Sequence, residues 1–365
     1  MNITYIFGNG FDCQIGLRTR YSDFLEHYIK NRETDDDNIS AFKDYLDSNR
    51  SDIFWSDAEL GMGEHLGAFS DITLASYTDR KADFEEKLIE YLTAQQEKCI
   101  YEDKESIKVI FEDFIYNSYG DSMLRRGNDL GIPGNSNNLF QFITFNYTNV
   151  LDRILKCCVG SDGRTLKTQS TRSSSFSDTV SQVYHVHGNL SDGIISGVND
   201  ENQMNVSGGV KIDEAIRWTL IKPYLNQASG YNWDQPAKDA ILRSSIIYIY
   251  GTSFGDTDRL WWNCIREWLL ADTNHKIVWF VHDDKELSTK ILWKEIDYDD
   301  NQRRILLDNL GCDFEGTQYN QMLTQTYIIR NTQRLDLKKV LMKEAPSVDV
   351  VGDFIDRSTR VAIFG

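Results

Sequence analysis

His185 and His187 stand two residues apart at the end of an apolar run, just before Gly188-Asn189. Histidine changes charge near neutral pH, so one at a strand end beside glycine can serve as a general base. Alternate residues of a strand share a face, which would aim both imidazoles the same way. Two such histidines could instead ligate a metal, but no carboxylate or cysteine nearby completes a ligand set, so no metal is expected. A buried structural histidine is the plain alternative. Three other motifs carry related chemistry. Gly8-Asn9-Gly10-Phe11-Asp12 would let the backbone approach a ligand closely and aim a helix N-terminus at phosphate, or it is a tight strand–helix turn. In Phe145-Asn146-Tyr147-Thr148-Asn149, an asparagine that donates and accepts at once suits a sugar hydroxyl or an ordered water, unless Asn146 or Asn149 caps a helix. In Gly251-Thr252-Ser253-Phe254-Gly255-Asp256-Thr257-Asp258, Gly251 and Ser253 could contact phosphate or ribose. There Asp256 or Asp258 would cap the next helix or bind a ribose diol.

Each motif follows an apolar run of strand character: residues 3–7 (ITYIF), 140–145 (FQFITF), 183–186 (VYHV) and 246–250 (IIYIY). A further strand is expected at 276–281 (KIVWFV), and helices at 21–30, 149–158, 258–270 and around 287–293. Residues 165–181 are rich in Ser and Thr and read as a surface loop or flap. After residue 343 the chain is less regular, with apolar runs at 348–351 and 361–364 that could dock on the body. Strands that end in glycine or polar turns and enter helices predict a parallel α/β sheet, with ligands beyond the carboxyl ends of its strands. The expected organisation is a nucleotide-binding core at 1–30 and 140–295, a helical insertion lobe at 31–139, and a helical or irregular C-terminal extension at 296–365.

Composition narrows the partners. The 365 residues are 41% hydrophobic, enough for one large domain or two modest ones. The formal net charge is −17 and there is no basic run, so nucleic acid is disfavoured. Six scattered cysteines, with no C-x-x-C pair, suit reduced thiols of a cytoplasmic protein. There is no signal-peptide pattern at the start and no apolar run long enough for a bilayer, so no membrane partner is expected. Trp261, Trp262 and Trp268 suit either a homo-oligomer interface or the core.

In order, GNGFD…GL-x-T-x-Y-x-x-F, FNYTN, HGN and G-x-S-F-G-x-x-D resemble the bacteriophage abortive infection AbiH family, with residues 7–25 carrying most of the likeness. That family is similar to the sirtuin-like NAD-binding fold. Gly8-Asn9-Gly10 corresponds to the sirtuin G-A-G, Phe145-Asn146-Tyr147-Thr148 to Q-N-I-D, His187-Gly188 to the catalytic His-Gly, and Gly251-Thr252-Ser253 to G-T-S. The sirtuin aspartate is replaced by Thr148, and the paired-cysteine zinc module has no counterpart. The resemblance implies a Rossmann-like, sirtuin-like parallel sheet with a helical insertion and no zinc module. It implies an anti-phage effector that hydrolyses NAD to ADP-ribose and nicotinamide, with NAD as substrate and Asn146 and His187 as the catalytic pair. Gly8, Asn9, Gly10, Phe11, Asp12, Tyr21, Gly188, Gly251, Thr252, Ser253 and Asp258 would hold the nucleotide. The alternatives are an NAD- or ADP-ribose-binding sensor without turnover, and a scaffold subunit of a defence complex with a degenerate pocket.

Overall fold

The computed structural model describes residues 1–32, 36–50, 57–68, 73–118, 130–170, 174–205, 212, 214–230, 233–283, 291–312 and 316–342. The chain opens with β1 (Asn2–Phe7), α1 (Gly10–Ile15) and α2 (Tyr21–Lys30). Four helices follow: α3 (Asp37–Ser48), α4 (Ala58–Ala68), α5 (Leu74–Gln96) and α6 (Lys104–Asn117). Next come β2 (Asn138–Thr144), α7 (Val150–Cys158), β3 (Thr165–Ser170), β4 (Ser175–His185), and two short strands, β5 (Gly188–Asn189) and β6 (Gly193–Ile194). Helices α8 (Glu214–Leu220), α9 (Lys222–Ser229) and α10 (Asp234–Leu242) lead into β7 (Ile246–Tyr250). The described chain ends with α11 (Arg259–Ala271), β8 (Lys276–Val281), α12 (Leu292–Asn309), α13 (Thr317–Gln325), β9 (Thr326–Arg330) and α14 (Lys338–Leu341).

Seven strands form one mixed, mostly parallel sheet in the order β3-β4-β2-β1-β7-β8-β9. All its pairings are parallel except β3 with β4. Counted alone, the parallel strands lie 3-2-1-4-5-6, so the chain builds outward from β1 on one side and then returns to build on the other. The reversal falls between β1 and β7, where open α/β sheets leave a crevice beyond the strand carboxyl ends. Strands buried on both faces must be apolar throughout, and β7 (IIYIY) is buried at every position. Alternation along β1 sends Ile3, Tyr5 and Phe7 to one face and Ile6 to the other. The first face packs on α6, α7 and α14. The second packs on α10 to α13, with Trp261, Trp262 and Trp268 in the core. Each fully buried large side chain contributes roughly 1.5–3 kcal/mol.

A third apolar cluster joins α2, α3, α4 and α5 to Tyr147, Val198, Ile216 and Leu220. This helical lobe therefore draws on more of the chain than residues 31–139. Within that span, α6 packs on the sheet instead, through Ile107, Phe111, Phe114 and Ile115.

Two expectations are corrected. The Ser/Thr-rich stretch is not a loop: β3 and β4 pair antiparallel at the sheet edge. An edge strand such as β3 needs no apolar face on both sides, and threonine fits a pleated surface, so weak hydrophobicity hid β3 and the first part of β4. The expected core boundary at 295 is also wrong, because β9 (TYIIR) adds a parallel strand against β8. Residues 284–290, in the expected helix near 287–293, and the apolar runs beyond 343 lie outside the described residues. Among the described residues no helix is long and apolar enough to cross a membrane. All six cysteines are free thiols.

Candidate functional site

The loops after β1, β2, β4 and β7 meet at the reversal point and line a cavity of about 380 Å³. Gly8, Asn9, Gly10, Tyr21, His187, Gly251, Thr252, Ser253 and Asp258 all reach its wall. A second cavity, of about 630 Å³, lies toward β8 and β9. The two share Gly10, Cys13, Arg20, Gly251, Thr252 and Ser253. Arg20 is exposed and makes no ion pair among the described residues, so its charge is available where the two cavities share a wall. Among the described residues, no three His, Cys, Asp or Glu side chains cluster as metal ligands.

The glycines owe much to packing between the loops. Gly251 has φ +68, and a β-carbon there would lie 2.7 Å from the Phe11 nitrogen. The Gly10 N–H donates to the Gly251 carbonyl at 2.8 Å, so that donor is spent on the protein. The Asn9 side chain is also occupied, donating to the Thr19 carbonyl and accepting from the Thr19 hydroxyl. Phe254 has φ +54, a strained value for a bulky residue, and packs on Trp262 and Trp279.

The histidines diverge, contrary to the expectation of a shared face. His185 is the last residue of β4, and its Nε2 meets Asp152 Oδ2 at 2.9 Å. His187 lies past the strand in a turn, where period-two alternation no longer applies. Its Nε2 meets Asp258 Oδ1 at 2.9 Å, with the rings of Phe145 and Tyr147 beside it. Asp258 occupies the N-cap position of α11 but makes no side-chain cap bond. Its carboxylate is turned to His187 and Lys222 instead, so the cap reading fails and Oδ1 is not free for a ribose. Asn149 likewise sits at the N-cap of α7 without capping it, and donates to Ser191.

Behind His187 lies a buried ionic chain. Lys222 is 5% exposed, and its Nζ meets Asp258 Oδ1 at 3.1 Å and Glu59 Oε2 at 2.8 Å. The same Nζ is 3.4 Å from His187 Nε2. Glu59 Oε1 accepts from the Tyr147 hydroxyl at 2.7 Å and the Tyr21 hydroxyl at 3.3 Å. Burial opposes ionisation of Asp258, but Lys222 and His187 outweigh it and hold the carboxyl well below its usual range. Burial likewise opposes the Lys222 charge, while Asp258 and Glu59 raise its pKa above the usual value. The cluster is stable only as a set, because each buried charge is desolvated and offset by the others.

Asn146 does not line the main cavity. With Asp12 and Thr148 it walls a side cavity of about 80 Å³ that shares Asn9, Tyr21, Phe145 and Tyr147 with the main one. The Thr148 hydroxyl donates to Asp12 Oδ2 at 2.7 Å. Burial raises the Asp12 pKa to about 6, against hydrogen bonds from Thr148 and Asn146 and the nearby His185. A carboxyl group therefore stands beside Thr148 after all, supplied by the first motif.

Two of the expected residues line none of these cavities. Phe11 is core, packed on Phe7 and Tyr250. Gly188 lines none of these cavities. Its φ of +71 and its pairing with Ile194 serve a hairpin, where a β-carbon would lie 2.1 Å from the Gly193 carbonyl. Sequence reasoning missed Arg20, Glu59 and Lys222. Arg20 fills an unspecified position of the GL-x-T-x-Y-x-x-F pattern, and its place beside Tyr21 was the one available signal. Glu59 and Lys222 lie in ordinary helical stretches, 163 residues apart, and carry no local signal.

A family model described as "Bacteriophage abortive infection AbiH" matches residues 4–283. The match spans β1 to β8 and every residue of the ionic chain. No curated protein matches the chain.

Proposed function

The chain belongs to the bacteriophage abortive infection AbiH family, and from that premise we propose that it is an anti-phage effector that binds NAD and hydrolyses it to ADP-ribose and nicotinamide. The observation that carries the reading is the pair of adjacent cavities that share Gly10, Cys13, Arg20 and Gly251–Ser253 in their walls. A dinucleotide has the matching form, two nucleoside halves joined by a diphosphate, and Arg20 supplies a cation at the junction. The strand order, with its crevice at β1 and β7, supports a Rossmann-like nucleotide fold, and the motif order supports likeness to sirtuins without their zinc module.

His187 is the base in this reading. With Nε2–H donated to Asp258, the other ring nitrogen accepts the proton of an attacking water. The water oxygen bonds to C1′ of the ribose as the bond to the pyridine nitrogen breaks, and nicotinamide leaves as a neutral molecule. The proton passes from His187 to solvent. Asp258 fixes the imidazole, and Lys222 fixes Asp258.

The Lys222 ammonium beside His187 Nε2 also favours a second reading, a sensor that binds the nucleotide without turning it over. Incubation with NAD, followed by chromatography of nicotinamide and ADP-ribose, separates the two. His187→Ala is expected to lower turnover by roughly 10²–10⁴-fold with binding retained. Binding by the wild type with no turnover would support the sensor; no binding would overturn both.

A further inference from the structure

The imidazole of His187 meets two opposite partners at one atom. Its Nε2 lies 2.9 Å from Asp258 Oδ1, an acceptor, and 3.4 Å from Lys222 Nζ, a donor. A neutral ring nitrogen donates or accepts, not both. If Nε2 carries the proton, it donates to Asp258, and Nδ1 keeps a lone pair. If Nε2 accepts from the ammonium, the proton sits on Nδ1 and that lone pair is gone. The bond made at one nitrogen thus decides what the other can do. Asp234, in the first turn of α10, is the other carboxylate within electrostatic reach of His187, and its side chain is bonded to Asn226.

The ammonium tips the balance. Its contact with Glu59 Oε2, at 2.8 Å, is shorter than those with Asp258 and His187. Glu59 is held in turn by the Tyr147 and Tyr21 hydroxyls. Its helix neighbours Ala58 and Met62 are packed in the apolar cluster of the lobe. We propose that Glu59 is a positioning residue that sets the tautomer of His187 through Lys222, so that the helical lobe decides whether the site holds a working base or an idle one. With Glu59 in place, the ammonium is drawn off Nε2 and the imidazole donates to Asp258. With Glu59 withdrawn, Lys222 is left to Asp258 and His187, and Nε2 accepts. The change moves one proton from Nε2 to Nδ1 by way of solvent and needs no other reactant. The inference rests on the reading of His187 as the base, and makes the hydrolase and the sensor two states of one site.

The test uses the full chain labelled with ¹⁵N-histidine. NMR at alkaline pH distinguishes Nε2–H from Nδ1–H in the neutral ring, with His187→Ala to identify the signal. The wild type is expected to show Nε2–H. Glu59→Gln keeps the shape and removes the charge; it is expected to turn His187 to Nδ1–H and to lower NAD turnover by roughly 10²-fold or more. Adding Lys222→Met removes the competing donor and is expected to restore Nε2–H. A purely structural role for Glu59 would leave the tautomer unmoved. Should Glu59→Gln fail to fold, Glu59→Asp keeps the charge but withdraws it from Nζ, and is expected to show the same shift in part. Nδ1–H in the wild type, Nε2–H in every folded Glu59 variant, or no reversion in the double variant would each overturn the proposal. The expected shift and reversion, in a wild type that does not cleave NAD, would sustain the switch and sink the hydrolase reading.

Discussion

Single residues here are kept in costly states. Asp12 is a buried carboxyl whose pKa rises from the usual 3.8 to about 6. The folded state thus holds the proton more tightly than the unfolded chain. Stability from this group is present below about pH 4 and is lost as the pH rises through 6, a change of roughly 3 kcal/mol. Asp12→Asn is therefore expected to flatten that decline and leave the protein more stable at neutral pH. Urea unfolding at pH 4.5 and 7.5, taken on both proteins, checks it; an unchanged slope would argue against an unfavourable buried carboxylate. Lys222 is the opposite case. Lys222→Met leaves Glu59 and Asp258 buried without their shared cation, at a cost of roughly 3–5 kcal/mol. Adding Glu59→Gln should recover part of the loss, and a double-mutant cycle in urea would measure the coupling.

At the scale of elements, the loops after β1 and β7 are one unit. Gly10 bonds to Gly251, and neither tolerates a side chain. Gly251→Ala combines a left-handed backbone with a β-carbon against the Phe11 nitrogen. It is expected to lower stability by roughly 2–4 kcal/mol, visible as a fall in Tm. A melt like that of the wild type would mean that the loops separate at little cost. Phe254, strained at the end of the same loop, is held by aromatic packing from α11 and β8, so the loop is set by its neighbours as well as by its own glycines.

At the scale of the molecule, the sheet and the helical lobe meet in the ionic chain. Glu59 comes from α4 in the lobe and Lys222 from α9, while Asp258 and His187 belong to loops at the sheet's carboxyl edge. Tyr147 follows β2 yet is buried in the lobe's apolar cluster, so the site's geometry depends on the docking of the two parts. The second junction is the wall that the two cavities share. Arg20→Ala is expected to weaken binding of NAD or ADP-ribose by roughly 10-fold while leaving Tm unchanged, because an exposed arginine without an ion pair adds little to stability. Isothermal calorimetry reads both ligands; undiminished affinity would remove Arg20 from the diphosphate site.

Much of this architecture was legible in the chain. An apolar run that ends at glycine or a polar turn is a local signal, and it located β1, β2, β7 and β8 together with the loops at their ends. His187, Gly8–Gly10 and Gly251–Ser253 came with those loops. Local signals failed where packing made the decision. Edge strand β3 and the first part of β4 are held by backbone pairing rather than by hydrophobic pattern, which marked only the end of β4, and β9 lies beyond the strands that the pattern joined. Period two aimed the histidines together only while the strand was assumed to continue, and a turn at His187 separated them. Long-range burial settled the rest: no residue near Glu59 or Lys222 announces that they share a cation–carboxylate chain, and nothing near Thr148 says that Asp12 stands beside it. Turns and strands follow from interactions among neighbours in sequence. The charge state and partner of a buried side chain follow from whatever the fold brings against it.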